Sequence, residues 1–225
     1  MLRRIRRAIH FIIYHAYVKK KISADDRTSL FGLSLTVPKT VFHPSLYLTS
    51  RFLASYLDGR DFTKKKGLEI GSGSGLLSLI AARRGALMIA LDINPAAVAS
   101  TMENAKRNGL ESRVIPVCSD LFAGLSPLHR DFDFILCNPP YYKGEAANDS
   151  EKAWHGGEDH EFLRRLASEA SGYLRPGGTV TFILSTDAAV DEIMGFFHDA
   201  RYQTTIVAQK HLLFEDLIIF EASHL

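Results

Sequence analysis

The 225-residue sequence has little of what small secreted and membrane proteins depend on. Its two cysteines, Cys118 and Cys137, are too few for a disulfide framework and fit a reduced, cytoplasmic setting. The apolar run from Ala8 to Val18 is broken by two histidines, and it is shorter than the roughly 20 apolar residues of a membrane-spanning helix. A net charge of +2 does not by itself indicate a nucleic-acid-binding protein. The composition therefore favours one ordinary globular domain without a transmembrane segment.

Positive charge is nevertheless concentrated in the first 21 residues, which contain no acidic residue. The cations there are Arg3, Arg4, Arg6, Arg7, Lys19, Lys20 and Lys21. We predict a basic amphipathic helix in this segment. Two roles are open for it: packing on the domain, or contact with nucleic acid, the ribosome or an anionic membrane surface.

The segment after the basic helix predicts a hairpin and a helix. Apolar residues alternate from Leu30 to Val37, which predicts a strand. A turn at Pro38-Lys39 would bring the chain back as a short strand at Val41-Phe42. Pro44 then predicts the start of a helix that runs to about Asp58.

From Lys66 onward, short apolar runs alternate with helical stretches. The predicted strands are Gly67–Ile70, Leu87–Leu91, Val114–Val117, Phe132–Cys137, Thr179–Leu184, Thr204–Val207 and Leu217–Phe220. The predicted helices are Leu76–Arg84, Pro95–Asn108, Asp159–Tyr173 and Asp187–His198. This alternation predicts an α/β fold, a Rossmann-like, mostly parallel sheet of seven strands with helices on both faces. The last two strands have no helix between them and are candidates for antiparallel pairing.

A glycine-rich loop at residues 68–75 lies between the first strand of this sheet and its helix. Glycines allow a tight turn and a close approach of the backbone to a ligand, and Asp92 at the end of the next strand can accept hydrogen bonds from two ribose hydroxyls. The NAD fingerprint needs a third glycine where Leu76 stands, and the Gly-Lys-Ser/Thr ending of a P-loop is missing. S-adenosylmethionine carries a sulfonium cation, which suits the nearby carboxylate of Glu69. A tight turn without a ligand is the remaining alternative.

Two further motifs follow later strands. Asp120 could accept a hydrogen bond from an adenine amino group, with Leu121 or Phe122 along the ring, or it could be an ordinary loop aspartate. Asn138-Pro139-Pro140-Tyr141 directly follows the strand that ends at Cys137. The prolines fix the backbone and remove two N–H donors, so carbonyl oxygens and the Asn138 amide remain to grip a planar amino group. Such a grip directs the nitrogen lone pair at an electrophile, although a rigid turn would need the same residues.

The segment from residue 139 to 158 is long for a loop in a compact domain, and such loops are usually functional or disordered. It contains the only tryptophan, Trp154, which either lines a substrate opening or anchors the loop. His155 and His160 do not have the spacing of an established zinc site, and we expect no metal.

In order along the chain, the glycine loop, Asp92-Ile93-Asn94-Pro95, Ser119-Asp120-Leu121 and the motif from Asn138 to Tyr142 resemble the motifs of class I amino-methyltransferases. The resemblance is strongest to the glutamine-N5 methyltransferases of release factors, which have a similar hairpin and proline. It extends to Ala153-Trp154-His155-Gly156-Gly157 after the motif. Release-factor enzymes usually carry acidic residues directly after that proline, whereas Pro44 is followed by residues 45–49, which include no acid.

The resemblance implies an S-adenosylmethionine-dependent methyltransferase with a lead-in region at residues 1–60 and a catalytic domain at residues 61–225. The implied cofactor residues are Glu69, Gly71, Ser72, Gly73, Asp92, Ile93, Asp120, Leu121 and Asn138. The implied catalytic residues are Asn138, Pro139, Pro140 and Tyr141, with Tyr142 and Trp154 against the substrate. The implied acceptor is a protein glutamine. The alternative acceptors are an rRNA or DNA base and a small molecule. A further alternative is that the protein is a partner that binds the cofactor without catalysis.

Overall fold

The computed structural model describes residues 24–126, 131–141, 144 and 156–225. The predicted basic helix, Tyr142 and Trp154 lie outside the described residues. The helices are α1 (Leu48–Asp58), α2 (Leu76–Arg83), α3 (Pro95–Arg107), α4 (Glu161–Ala170) and α5 (Val190–Asp199). The strands are β1 (Asp26–Leu30), β2 (Leu33–Val37), β3 (Lys66–Ile70), β4 (Leu87–Asp92), β5 (Val114–Cys118), β6 (Phe132–Cys137), β7 (Leu174–Ser185), β8 (Tyr202–His211) and β9 (Asp216–His224). No helix in these ranges is long and apolar enough to cross a membrane.

The predicted seven-stranded sheet is confirmed, with the strand order β5-β4-β3-β6-β7-β9-β8. The first five of these strands are parallel, whereas β9 is antiparallel to both β7 and β8. The strand order reverses between β3 and β6. In open α/β sheets the ligand crevice lies at this reversal, outside the carboxyl ends of the strands. The topology thus brings the glycine loop after β3 next to the motif after β6.

The core has two layers, one on each face of the sheet. In β6, Phe134 and Leu136 face the layer formed with α1, α2 and α3. Phe132, Ile135 and Cys137 face the layer formed with α4 and α5. This alternation follows from the period of two residues in a strand. Because β6 packs against both layers, its position is fixed on both faces of the sheet. This also fixes the backbone position of Asn138, which directly follows β6.

The hairpin differs from the prediction. The strand predicted from Leu30 to Val37 contains a turn: it covers β2 and only the last residue of β1, and the two strands pair antiparallel, Leu30 with Leu33. Between them Phe31 and Gly32 have φ angles of 52° and 73°, and two positive φ values give the turn type that matches the twist of paired strands. The predicted return strand at Val41-Phe42 is wrong, because the true partner precedes the turn.

Asn104 in α3 and Asn108 directly after this helix hold β2 in place. The amide of Asn104 accepts from the backbone N–H of Thr36 at 2.8 Å and donates to the carbonyl of Thr36 at 3.0 Å. Asn108, one helical turn later, makes the same pair of bonds with Ser34, at 3.0 and 2.9 Å. The fully buried Asn104 also donates to the carbonyl of Ser74 in the glycine loop, at 3.0 Å. One side chain thus connects the hairpin to the glycine loop.

We expect Asn104→Ala to lower the free energy of unfolding by about 2–4 kcal/mol, because the N–H of Thr36 and the carbonyl of Ser74 lose this partner in a partly or fully buried place. Asn108→Ala is the matched control. Its bonds to Ser34 are exposed, so water can replace them and the loss should stay below about 1 kcal/mol. Denaturant unfolding of both variants measures the difference. Equal losses would contradict the role given to Asn104.

Several predicted boundaries also move. The helix predicted from Pro44 begins at Leu48, because residues 44–46 form a turn in which the N–H of Leu46 donates to the carbonyl of His43 at 3.1 Å. The helix predicted from Asp159 to Tyr173 is the shorter α4. Strand β7 begins before the predicted Pro176-Gly177-Gly178 turn, which the sheet accommodates as a register shift opposite β6.

Candidate active site

A cavity of about 430 Å³ opens at the carboxyl ends of β3, β4, β5 and β6. This volume is within the range of small-molecule and cofactor sites. Its lining includes residues from the four segments after these strands and from α1 and α4. Among the predicted site residues these are Glu69, Gly71, Ser72, Gly73, Asp92, Ile93, Asp120, Leu121, Asn138, Pro139, Pro140 and Tyr141. All predicted site residues that the structure describes therefore line one cavity, while their individual roles stay predictions.

The glycine loop is shaped by left-handed backbone. Gly71 and Gly73 have φ angles of 71° and 56°, a conformation that other residues rarely adopt. The N–H of Ser72 donates to the carbonyl of Leu91 at 2.9 Å, which ties the loop to β4. Ser72 lines the cavity, and its hydroxyl is buried without a hydrogen-bond partner among the described residues. A buried hydroxyl without a partner carries a desolvation cost, which a bound polar ligand would remove.

Asp92 fixes the shape of this loop. One carboxylate oxygen accepts from the N–H of Gly73 at 2.8 Å, and the other accepts from the N–H of Asn94 at 2.9 Å. Burial raises the pKa of Asp92 above its usual value, while these two backbone bonds act in the opposite direction. A carboxylate has about four acceptor sites, so two remain for a ligand such as a ribose diol.

Glu69 is buried at the end of β3 and is only 2% exposed. Its Oε2 accepts from the N–H of Ser78 at 2.8 Å and from the Ser78 hydroxyl, both in α2. Burial raises the pKa of Glu69 to about 8, with a smaller contribution from the charge of Asp92, although the two hydrogen bonds from Ser78 act in the opposite direction. Since the carboxyl group is held neutral by burial, a nearby cation would favour its ionised form. The side chain is therefore suited to a cationic ligand.

At neutral pH we expect a cationic cofactor to release a proton from Glu69 when it binds. Without cofactor, the folded protein keeps this proton from pH 4.5, the ordinary glutamate value, up to about 8, while the unfolded chain has released it. The free energy of unfolding should therefore fall as the pH rises through that window. Titration calorimetry in buffers of different ionisation enthalpy counts the protons released. Glu69→Gln should abolish the release and flatten the pH dependence.

Glu161→Gln is the matched control, because Glu161 also lines the cavity but is exposed. Its proton release on cofactor binding should equal that of the wild type. Equal proton release in the wild type and in Glu69→Gln would contradict the role of Glu69.

Asp120 is 53% exposed and forms an ion pair with Arg165 of α4. Nη1 of Arg165 lies 3.1 and 3.0 Å from the two carboxylate oxygens, and Nε donates to Glu169 at 3.0 Å. Hydrogen bonding to Asp120 raises the pKa of Arg165. The carboxylate predicted for the adenine amino group is thus fixed by a guanidinium. Leu121 beside it is buried with a φ of 47°.

The side chain of Asn138 is held by a residue of α1. Its Nδ2 donates at 3.0 Å to Oγ of Ser50, a buried residue in the first turn of α1. Pro139, Pro140 and Tyr141 continue along the cavity wall. The end of the long loop returns to this wall at Gly156, where an added Cβ would lie 2.5 Å from the carbonyl oxygen of Pro140. A glycine is therefore required at 156 by close packing against the motif.

The sequence did not reveal three parts of the site. The segment from Thr40 to Phe42 lines the cavity beside the glycine loop, with the Thr40 carbonyl accepting from Nδ2 of Asn94 at 3.0 Å. Ser50 and Arg165 reach Asn138 and Asp120 from distant parts of the chain. None of the three carries a local motif. A weak signal was available for Ser50, which is a polar residue on the otherwise apolar face of a helix.

The charges of the cavity distinguish between cofactors. Its described lining contains four carboxyl groups, those of Glu69, Asp92, Asp120 and Glu161. Arg165 is the one described cation, and it is already paired with acids. The described lining therefore offers no unpaired cation to a pyrophosphate, whereas its carboxyl groups would attract a sulfonium and an ammonium group. These charges suit S-adenosylmethionine better than NAD.

A doubly wound sheet with this cavity defines a class I methyltransferase that depends on S-adenosylmethionine. Residues 35–211 match the family model of the methyltransferase small domain, and the chain belongs to that family.

The names of the relatives of this chain give different methyl acceptors. A Methanocaldococcus jannaschii relative, provisionally named a protein N5-glutamine methyltransferase, is 33% identical over 194 residues, which are 82% of this chain and 94% of the relative. A release factor glutamine methyltransferase of Cereibacter sphaeroides is 36% identical over 123 residues, 49% of this chain and 43% of the relative. The chain also spans about half the length of the RNA methyltransferases that it matches.

Among solved structures, the T. thermophilus 16S rRNA guanine-N2 methyltransferase bound to S-adenosylmethionine and guanosine has a TM-score of 0.61. It is 23% identical, and the similarity covers 89% of this chain and 50% of that chain. At this identity the similarity confirms the fold alone.

Proposed function

We propose that this protein methylates the side-chain amide nitrogen of a glutamine in a protein substrate of the release-factor type. The observation that carries the proposal is the position of Asn138-Pro139-Pro140-Tyr141 on the wall of the same cavity as the glycine loop. The names of the M. jannaschii and C. sphaeroides relatives support glutamine as the acceptor.

The side chains around Asn138 suit a neutral acceptor. Its hydrogen-bond partner Ser50 and the residues that follow it, Pro139, Pro140 and Tyr141, are all uncharged and line the cavity. A glutamine amide is neutral and planar, so it needs hydrogen-bond acceptors and a flat neighbour rather than a counter-charge. A nucleic-acid acceptor would bring phosphates, whose recognition depends on Lys and Arg. The basic residues at the start of the chain lie outside the described residues, and their contact with nucleic acid, ribosome or membrane stays a prediction.

The residues of the chain position the acceptor rather than activate it covalently. S-adenosylmethionine, when bound, supplies an electrophilic methyl group on a sulfonium. Oδ1 of Asn138 and a backbone carbonyl of the motif accept the two amide hydrogens, which aligns the nitrogen lone pair with that methyl group. The glycine loop, Glu69 and Asp92 would hold the cofactor, which would give its methyl group to that nitrogen and would keep the bonding electron pair on sulfur. The same oxygens stabilise the positive charge on nitrogen until a proton leaves to water.

The direct test combines labelled S-adenosylmethionine, the purified protein and an extract of cells that lack it. Protease-sensitive label at a glutamine, located by mass spectrometry of the peptide, is the expected result. Changing that glutamine of the labelled protein to alanine should then abolish labelling. Nuclease-sensitive label would contradict the protein acceptor and assign an RNA or DNA base. Label in a small molecule alone would contradict both. A cytoplasmic location is part of the same proposal, because release factors act there.

A further inference from the structure

We infer that Ser50 is a positioning residue for the methyl transfer, which sets the orientation of the Asn138 amide. The inference rests on the proposed nitrogen methylation. It starts from a single contact: Nδ2 of Asn138 donates to Oγ of Ser50 at 3.0 Å, across 88 residues of sequence. Both residues line the cavity.

The rest of Asn138 is already fixed. It follows the fully buried Cys137 at the end of β6, and the ring of Pro139 restricts the backbone after it. The main freedom left to the side chain is rotation about its last torsion. This torsion is broad and roughly two-fold for asparagine, so packing alone does not decide which end of the amide faces the acceptor.

The two ends of the amide differ chemically. The N–H2 group only donates hydrogen bonds, and the oxygen only accepts them. An acceptor amine must offer its hydrogens so that its lone pair is free for the methyl group. The oxygen of Asn138 therefore has to face the acceptor, and a reversed amide would set a donor against a donor. Because Ser50 takes the N–H2 end, it leaves the oxygen for the acceptor.

Ser50 is well placed to hold this orientation. It is 5% exposed and lies on the buried face of α1 with Leu53, Ala54 and Leu57. Since α1 is packed into the core, Oγ of Ser50 is held in place, and its contact with Nδ2 holds the plane of the Asn138 amide against free rotation. A buried hydroxyl on an apolar helix face carries a desolvation cost unless it has a partner. The Asn138 amide is that partner.

A double-mutant cycle of Ser50→Ala and Asn138→Ala tests the inference. We expect Ser50→Ala to lower kcat by about tenfold or more, because small misplacements of reacting groups have large effects on rate, and to leave the Kd of the cofactor within about twofold. In the Asn138→Ala background the same change should add no further loss. A kcat within twofold of the wild type, or a loss that multiplies with that of Asn138→Ala, would overturn the inference.

Ser55→Ala is the control on the same helix, since Ser55 is exposed. It should leave kcat unchanged. If Ser50→Ala lowers the melting temperature more than Ser55→Ala does, then the kcat of Ser50→Cys is compared with that of the wild type instead. The thiol keeps the size but accepts hydrogen bonds weakly, so an intermediate kcat is expected. A Ser50→Cys enzyme as fast as the wild type would also overturn the inference.

A second readout does not depend on the acceptor. The chain has five asparagines, so a sample with 15N-labelled asparagine side chains gives few signals, and the Asn138 pair is identified by its loss in Asn138→Ala. We expect one Asn138 Nδ2 proton to exchange slowly with water in the wild type and fast in Ser50→Ala. Equal exchange would overturn the inference. If the wild type does not methylate glutamine, the proposed function fails, and this exchange measurement still decides the role of Ser50.

Discussion

Asn138→Ala should reduce turnover by at least about a hundredfold while the Kd of the cofactor changes by only a few-fold. The alanine removes the oxygen that accepts from the acceptor nitrogen, and a donor or acceptor aimed at developing charge is typically worth ~10²–10³ in kcat. The residues proposed to bind the cofactor, the glycine loop and Asp92, follow other strands of the sheet and are unchanged in this variant. Single-turnover methylation and titration calorimetry on the same preparation separate the two effects.

Asn108→Ala is the matched control for this prediction. It removes the same amide, but Asn108 bonds to the hairpin and does not line the cavity. Turnover close to that of the wild type is expected. A parallel loss of cofactor affinity and turnover in Asn138→Ala would contradict the assignment of Asn138 to the acceptor, because it would place the residue chiefly against the cofactor.

Asp92→Ala should weaken cofactor binding by about a hundredfold. The substitution removes the carboxylate proposed to accept from the ribose hydroxyls of the cofactor, and hydrogen bonds to charged groups are worth about 1.5–3 kcal/mol each. A loss of about 3 kcal/mol corresponds to roughly a hundredfold in Kd. The glycine loop would also lose its fixed shape. Titration with S-adenosylmethionine measures the change directly.

Asp199→Ala is the control for this prediction, because the Asp199 side chain is 85% exposed at the end of α5. It should bind cofactor as the wild type does. Asp92→Asn keeps one acceptor oxygen, so its affinity should be intermediate. Wild-type affinity in Asp92→Ala would show that the cofactor does not depend on the end of β4, and the assignment of the cavity would fail.

The sheet could be predicted from sequence because its signals are local. Apolar runs of strand length, separated by helices with glycine stops, define parallel strands without any knowledge of contacts. The same holds for the site residues that directly follow strands. Asp92 and Asn138 were predicted because the carboxyl ends of parallel strands meet at one edge. Their positions in one cavity follow from topology alone.

The hairpin could not be predicted correctly, because alternation does not show where a strand turns. Phe31 stands at a positive φ, where an aromatic residue is unusual, and only Gly32 marks the turn. The pairings of Ser50 with Asn138 and of Arg165 with Asp120 were also missed. They join residues 88 and 45 positions apart, and no local pattern records such a contact. They depend on packing of α1 and α4 against the sheet.

Labelling of a cell extract distinguishes a protein glutamine from the other acceptors. The wild-type protein is incubated with labelled S-adenosylmethionine and an extract of cells that lack this protein, and the labelled product is treated with protease or nuclease. We expect label that protease removes, that nuclease leaves, and that maps to a glutamine side chain. Label that nuclease removes would assign a nucleic-acid acceptor and contradict the proposed function.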